Sequence, residues 1–170
     1  MPLVHGGSLV LPHRFSASGF WQTAIGQGCT WNNLAGSIFD IKADNYVLNA
    51  YGGAAQFRNV GTVRRTAGTS ASVFDFQTVN GGSIVLETGR TGWRGGLTQT
   101  NGTTRLAGGH LEGAPVLIDI QGGTFEGGGE VNTGLSIGGT LRPGNPLGKI
   151  QVLQNWNTTN TASSVSVFQL

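Results

Sequence analysis

Along most of the chain, apolar and polar residues alternate over runs of four or five and then give way to glycine. Ser83-Ile84-Val85-Leu86-Glu87, Val116-Leu117-Ile118-Asp119-Ile120 and Val165-Ser166-Val167-Phe168 show the two-residue period, rich in β-branched and aromatic side chains, that a half-buried strand requires. Helical spacing does not persist, because a glycine interrupts nearly every window of eight and costs about 1 kcal/mol inside a helix. The pattern predicts short strands throughout and almost no helix beyond an N-terminal cap.

The glycines are themselves periodic. Doublets stand at 52-53, 81-82, 95-96, 108-109, 122-123 and 138-139, with steps of 14, 13, 14 and 16 residues from Gly81 onward. A second signature is Gly, then Ser or Thr, then usually an apolar residue. It occurs at Gly36-Ser37-Ile38, Gly61-Thr62-Val63, Gly82-Ser83-Ile84, Gly102-Thr103-Thr104, Gly123-Thr124-Phe125 and Gly139-Thr140-Leu141, in steps of 25, 21, 20, 21 and 16. Three short strands per coil of roughly 20 residues accommodate both spacings.

The predicted fold is all-β: a single-stranded, right-handed parallel β-helix (β-solenoid). Residues 31-170 form its coils and 1-30 a cap or lead-in segment, in one domain overall. Each strand then pairs with its equivalents in the coils on either side, which satisfies the backbone. Ile38, Val63, Ile84, Phe125 and Leu141 are expected to stack inward. Ser37, Thr62, Ser83, Thr103, Thr124 and Thr140 are expected to form an outward or corner hydroxyl ladder.

Several of these segments resemble a known family. Gly122-Gly123-Thr124-Phe125-Glu126-Gly127-Gly128-Gly129-Glu130-Val131-Asn132, followed by Gly138-Gly139-Thr140-Leu141-Arg142-Pro143-Gly144-Asn145-Pro146, is similar to the GGTLxGxGxV and GGTLxPGNSPG runs of bacterial autotransporter-type and filamentous-haemagglutinin-like β-helix proteins. Residues 35–41, 57–65 and 80–86 are similar to their coils, and the resemblance covers roughly residues 31 to 170. Leu147 departs from it where the family has Ser-Pro, and Gln154-Asn155 replaces Gly-Asn. The resemblance implies an extracellular or bacterial cell-surface protein, with a structural or adhesive segment presenting a polar face to glycans or neighbouring cells. It is specific for fold and says little about activity, because sites are grafted onto such scaffolds.

Composition narrows the alternatives. Thirty glycines with 38% hydrophobic and 11% charged residues are unlike a disordered chain, and the glycines lack the collagen register. The formal charge of +2 is scattered, with Arg64-Arg65 the one tandem pair, so no nucleic-acid partner is expected. Cys29 stands alone and reads as a small buried hydrophobe. No apolar run reaches the length of a membrane span or signal peptide. Gly-rich 122-129 lacks the following helix that a phosphate loop needs, and no cofactor or metal is expected.

The remaining candidate chemistry is positional. Glu112, Glu126 and Arg142 occupy the same point of three successive glycine-doublet units, with His110 two residues before Glu112 and so on the same side of its strand. Stacked, they form a charged ladder that is most simply a solvated face. Read as a site, Glu112 and Glu126 become acid and base of a polysaccharide hydrolase or lyase, with His110, Arg142 and Trp93 binding substrate. Trp93, between Arg90 and Arg94, is the favoured exposed aromatic, whereas Trp21 and Trp31 are expected to cap the core. His5 and His13 have no partner at ligand spacing. The open ends of a solenoid also leave unpaired strand edges, so self-association is a third expectation.

Overall fold

In the computed structural model the chain is a parallel β-solenoid, with no helix among the described residues. The structure describes residues 3–5, 8–10, 14–17, 22–49, 52–113, 116–144, 148–154, 156–157 and 165–166. The candidates Trp21 and His13 lie outside them, as does the side chain of His5. Three faces recur in order along the chain. Face A contains Tyr46–Asn49, Ala71–Phe74, Arg90–Trp93 and His110–Glu112. Face B contains Gln56–Asn59, Gln77–Asn80, Leu97–Gln99 and Ile118–Ile120. Face C contains Thr62–Arg65, Ser83–Leu86 and Thr103–Ala107. The same parallel pairing already runs through Leu3–His5, Gln22–Gly26 and Ser8–Val10 in the segment expected as a lead-in.

Register follows the longer of the two sequence periods. Thr62 pairs with Ser83, Ser83 with Thr103, Thr103 with Thr124 and Thr124 with Thr140, so the hydroxyl ladder forms on the outside of face C. Ile38, not Ser37, is the residue paired with Thr62. Four residues separate Asn33 from Ile38, where only Val60 and Gly61 separate Asn59 from Thr62, and a turn closed by Ser37 N–H to the Leu34 carbonyl takes up the excess. The inward column therefore passes through Phe39 and not Ile38, and continues through Val63, Ile84, Thr104, Phe125 and Leu141.

Aromatic side chains concentrate in the earlier coils of the core, and aliphatic ones predominate in the later coils, where Phe125 is also buried. Trp31, Phe39, Phe57, Phe74, Phe76 and Trp93 pack in successive contacts, ending with Trp93 stacked on Phe74 at 5.7 Å and 8°. Beyond Trp93 the same space is filled by Leu97, Leu106, Leu111, Ile118, Ile120 and Leu135. Trp31 is buried in this core but does not cap it, because its strand pairs with Ser8–Val10 on one side and Gln56–Asn59 on the other, and Cys29 is buried as expected. Desolvation pushes the Cys29 thiol above its ordinary value.

At the corner from face B to face C, side-chain amides form a column inside the solenoid. Asn33 Nδ2 donates to Asn59 Oδ1 (2.7 Å), Asn59 Nδ2 to Asn80 Oδ1 (2.7 Å) and Asn80 Nδ2 to Gln99 Oε1 (3.1 Å). Ile120 occupies the next position. Gln99, longer by one methylene, ends the column by reaching the Gly122 and Thr124 carbonyls of that coil. All four amides are buried. Each amide dipole points the same way, an arrangement in which hydrogen bonds polarise one another. Glycines stack beside the column: a Cβ on Gly102 would collide with the Gly82 carbonyl, and Gly102 also has φ +75°. This close approach and the positive φ together reserve the corner for glycine.

Strand Thr124–Asn132 runs from face C into face A without a break. Its first residues pair with Thr103–Ala107 and its last with Leu111 and Glu112.

Candidate functional site

The outward side of face A carries a groove of about 540 Å³ lined by Thr69, Thr88, Gly89, Arg90, Gly108, His110, Glu112, Glu130 and Asn132. Its geometry is a direct product of register. Arg90 pairs with His110, and Gly92, Glu112 and Asn132 follow one another in the parallel row. Because alternate residues share a face, Arg90, His110, Glu112, Glu130 and Asn132 all point outward, while Thr91, Leu111 and Val131 between them are buried. Arg90 Nη1 donates to Glu112 Oε1 at 3.5 Å, and His110 Nδ1 lies 3.1 Å from Glu130 Oε2.

Beneath the groove, Arg65 fixes its rim from inside. The guanidinium is fully buried and bonds to Asp44 Oδ1 (2.7 Å), the Ser70 carbonyl (3.1 Å) and the Arg90 carbonyl (2.9 Å). Desolvation holds its pKa below the ordinary arginine value, against the opposing pull of Asp44. The tandem Arg64-Arg65 is thus split by strand alternation. Arg65 turns in, whereas Arg64 turns out to Asp40 at 2.7 Å.

Three of the expected site residues, Glu126, Arg142 and Trp93, are elsewhere. Glu126 sits on face C, paired in register with Arg105 and Arg142. Glu112 and Glu126 therefore belong to different faces and do not form an acid–base pair, and Arg142 goes with Glu126. Trp93 is 1% exposed and stacked on Phe74, so it presents no surface to a sugar. Strand parity explains this: Arg90 and Arg94 point outward, and Trp93 takes the inward position before Arg94. His110 and Glu112 do share one face, as their spacing predicts.

The residues that sequence reasoning missed are Arg90, Glu130 and Asn132. They stand one coil away from their partners, at the step of 20 that also separates Ser83 from Thr103. Applied to His110 and Glu112, that step alone finds all three.

On face C the charged row is a stabilising network. Asp40, closed to solvent, receives Arg64, Arg14 (3.4 Å), Lys42 (3.9 Å) and the Thr66 hydroxyl (2.9 Å). Burial raises the Asp40 pKa, but bonds from Arg64 and Thr66 and the charges of Arg64 and Lys42 outweigh it and hold the carboxyl below its ordinary value. No group of three or more His, Cys, Asp or Glu side chains among the described residues could hold a metal ion.

The fold defines the chain as a parallel β-solenoid protein. No family model matches it, and no solved structure does. A stretch of 48 residues is 54% identical to part of the sulfoacetate–CoA ligase of Cupriavidus necator (strain H16), covering 28% of this chain and 8% of that ligase. A likeness of this extent assigns no family.

Proposed function

We propose that the chain is a structural and adhesive solenoid segment of a secreted or cell-surface bacterial protein, which holds glycans in the groove on face A. The observation that carries the reading is the groove itself. Arg90, His110, Glu112, Glu130 and Asn132, from strands of three consecutive coils, converge there with positions fixed by backbone pairing, and Thr69 and Thr88 join them from the corner spacers. A row of this kind is preorganised, so little ordering entropy is lost on binding. The amide column and apolar core behind it make the rod stiff, and the resemblance of its coils to surface-exposed β-helix proteins supports the location.

The test is a panel of soluble polysaccharides scored for both binding and product release. Binding without turnover, weakened by Glu112→Gln, is the expected result. A second reading, a polysaccharide hydrolase or lyase, draws on the presence of two carboxylates in one groove, Glu112 and Glu130, with Glu130 in the role first expected of Glu126. Release of reducing ends that Glu112→Gln abolishes would establish it in place of the adhesive reading. Failure of every glycan to bind would sink both.

A further inference from the structure

We infer that the groove on face A is built for a sugar carrying a free amine, in preference to a uronate or an uncharged polyol. The inference rests on the glycan-binding reading above and narrows it to a substrate class.

The charge of the lining carries the argument. Two carboxylates, Glu112 and Glu130, face one guanidinium, Arg90. Arg90 is engaged with Glu112 at 3.5 Å, and these side chains are 57% and 27% exposed. Among the described residues Glu130 has the His110 imidazole beside it, a group that is charged only when protonated, and at 48% exposure it is the more open carboxylate. With that imidazole neutral the lining therefore carries one uncompensated negative charge, at Glu130. A uronate entering the groove brings a like charge against it, whereas an ammonium makes a charge-assisted bond there.

The rest of the lining suits a sugar. The Thr88 hydroxyl donates to the Gly68 carbonyl (3.1 Å) and keeps its acceptor lone pairs, Asn132 Oδ1 receives Gln154 Nε2 at 3.4 Å and leaves its Nδ2 to donate, and Thr69 adds a hydroxyl, so the lining offers both roles that ring hydroxyls demand. No Phe, Tyr or Trp side chain among the described residues lines the groove, so recognition falls on these polar groups and not on stacking against a large apolar ring. The volume of about 540 Å³ lies within the usual range for small-ligand sites. Selectivity for an amine also runs against the net charge of +2 on the whole chain, which by itself attracts anions. It has to originate in the groove.

The experiment is calorimetric titration of the full chain at neutral pH with four short oligosaccharides: β-1,4-glucosamine, its N-acetylated counterpart, a neutral β-glucan and an oligogalacturonate. The glucosamine oligomer is expected to bind about tenfold more tightly than the others. Glu130→Gln removes that preference. Glu126→Gln removes the same charge from face C and leaves the preference unchanged. His110→Ala, which removes the imidazole beside Glu130, tightens binding of the amine. Circular dichroism confirms that each variant is folded. Equal or tighter binding of the acetylated, neutral or uronate oligomer overturns the amine assignment while the glycan reading stands, and so does a Glu126→Gln effect equal to that of Glu130→Gln. If none of the four binds, the glycan reading falls with it.

Discussion

Asn59 and Asn80, 21 residues apart in sequence, are joined inside the solenoid by a 2.7 Å bond from Nδ2 to Oδ1, and neither side chain meets solvent. Asn80 also accepts from the Gly82 N–H and donates to Gln99. An amide in this position is bonded on both sides, so its removal strands partners in both neighbouring coils. Asn80→Ala is expected to cost about 3 kcal/mol, since each buried group left unpaired costs about 1–3 kcal/mol. A denaturant titration checks this, and a loss below about 1 kcal/mol would show that the column is not a stabilising unit.

Acid sensitivity should trace to Asp40. Its native carboxyl titrates below the ordinary value of about 3.9, so on acidification the unfolded chain takes up the proton first. The stability it contributes is complete above the unfolded value and is lost as the pH falls through the lower native one. Unfolding midpoints measured from about pH 5 to pH 2 should fall more steeply for the parent chain than for Asp40→Asn. Parallel curves would refute the assignment.

Trp93 is a core residue with a structural task. Trp93→Ala is expected to destabilise by about 3–5 kcal/mol through the cavity left beside Phe74. Trp93→Phe keeps most of the packing, and its glycan affinity should match that of the parent chain. An affinity loss in a folded Trp93→Phe protein would place the indole at a binding surface.

Glycines with nearly the same backbone angle should tolerate a methyl group very differently. Gly28 has φ +71° and open space where a Cβ would stand, whereas Gly102 has φ +75° and the Gly82 carbonyl in the way. Gly28→Ala is expected to cost about 1–2 kcal/mol, the left-handed penalty alone. Gly102→Ala adds overpacking and should cost about 3 kcal/mol or more. Thermal melting of the two variants side by side decides it.

The solenoid and its coil length were legible because the Ser/Thr signature marks one corner, from face B to face C, in every coil from Thr62 to Thr140. Glycine doublets carry no such meaning. Gly95-Gly96 lies between faces A and B, Gly108-Gly109 between C and A, and Gly122-Gly123 between B and C. Counting doublets as equivalent units stacked Glu112 on Glu126 across unlike corners, which is how the candidate pair came apart. The groove stayed hidden for a related reason: Arg90 and Glu130 are 40 residues apart, and only the coil period brings them to one surface. Trp93 was misplaced because Gly92 and the flanking arginines suggest a loop, although the alternation around them is that of a strand.

The unbroken strand Thr124–Asn132 sets a limit on how this groove can diversify. Other coils pass from face C to face A through spacers such as 66-70 and 87-89, where extra residues would add to the rim without disturbing any pairing. Between Glu126 and Glu130 there is no spacer, and an inserted residue would reverse the facing of every side chain after it, Glu130 included. New specificities can therefore arise on the side of Thr69 and Thr88, while the wall that carries Glu130 is inherited unchanged.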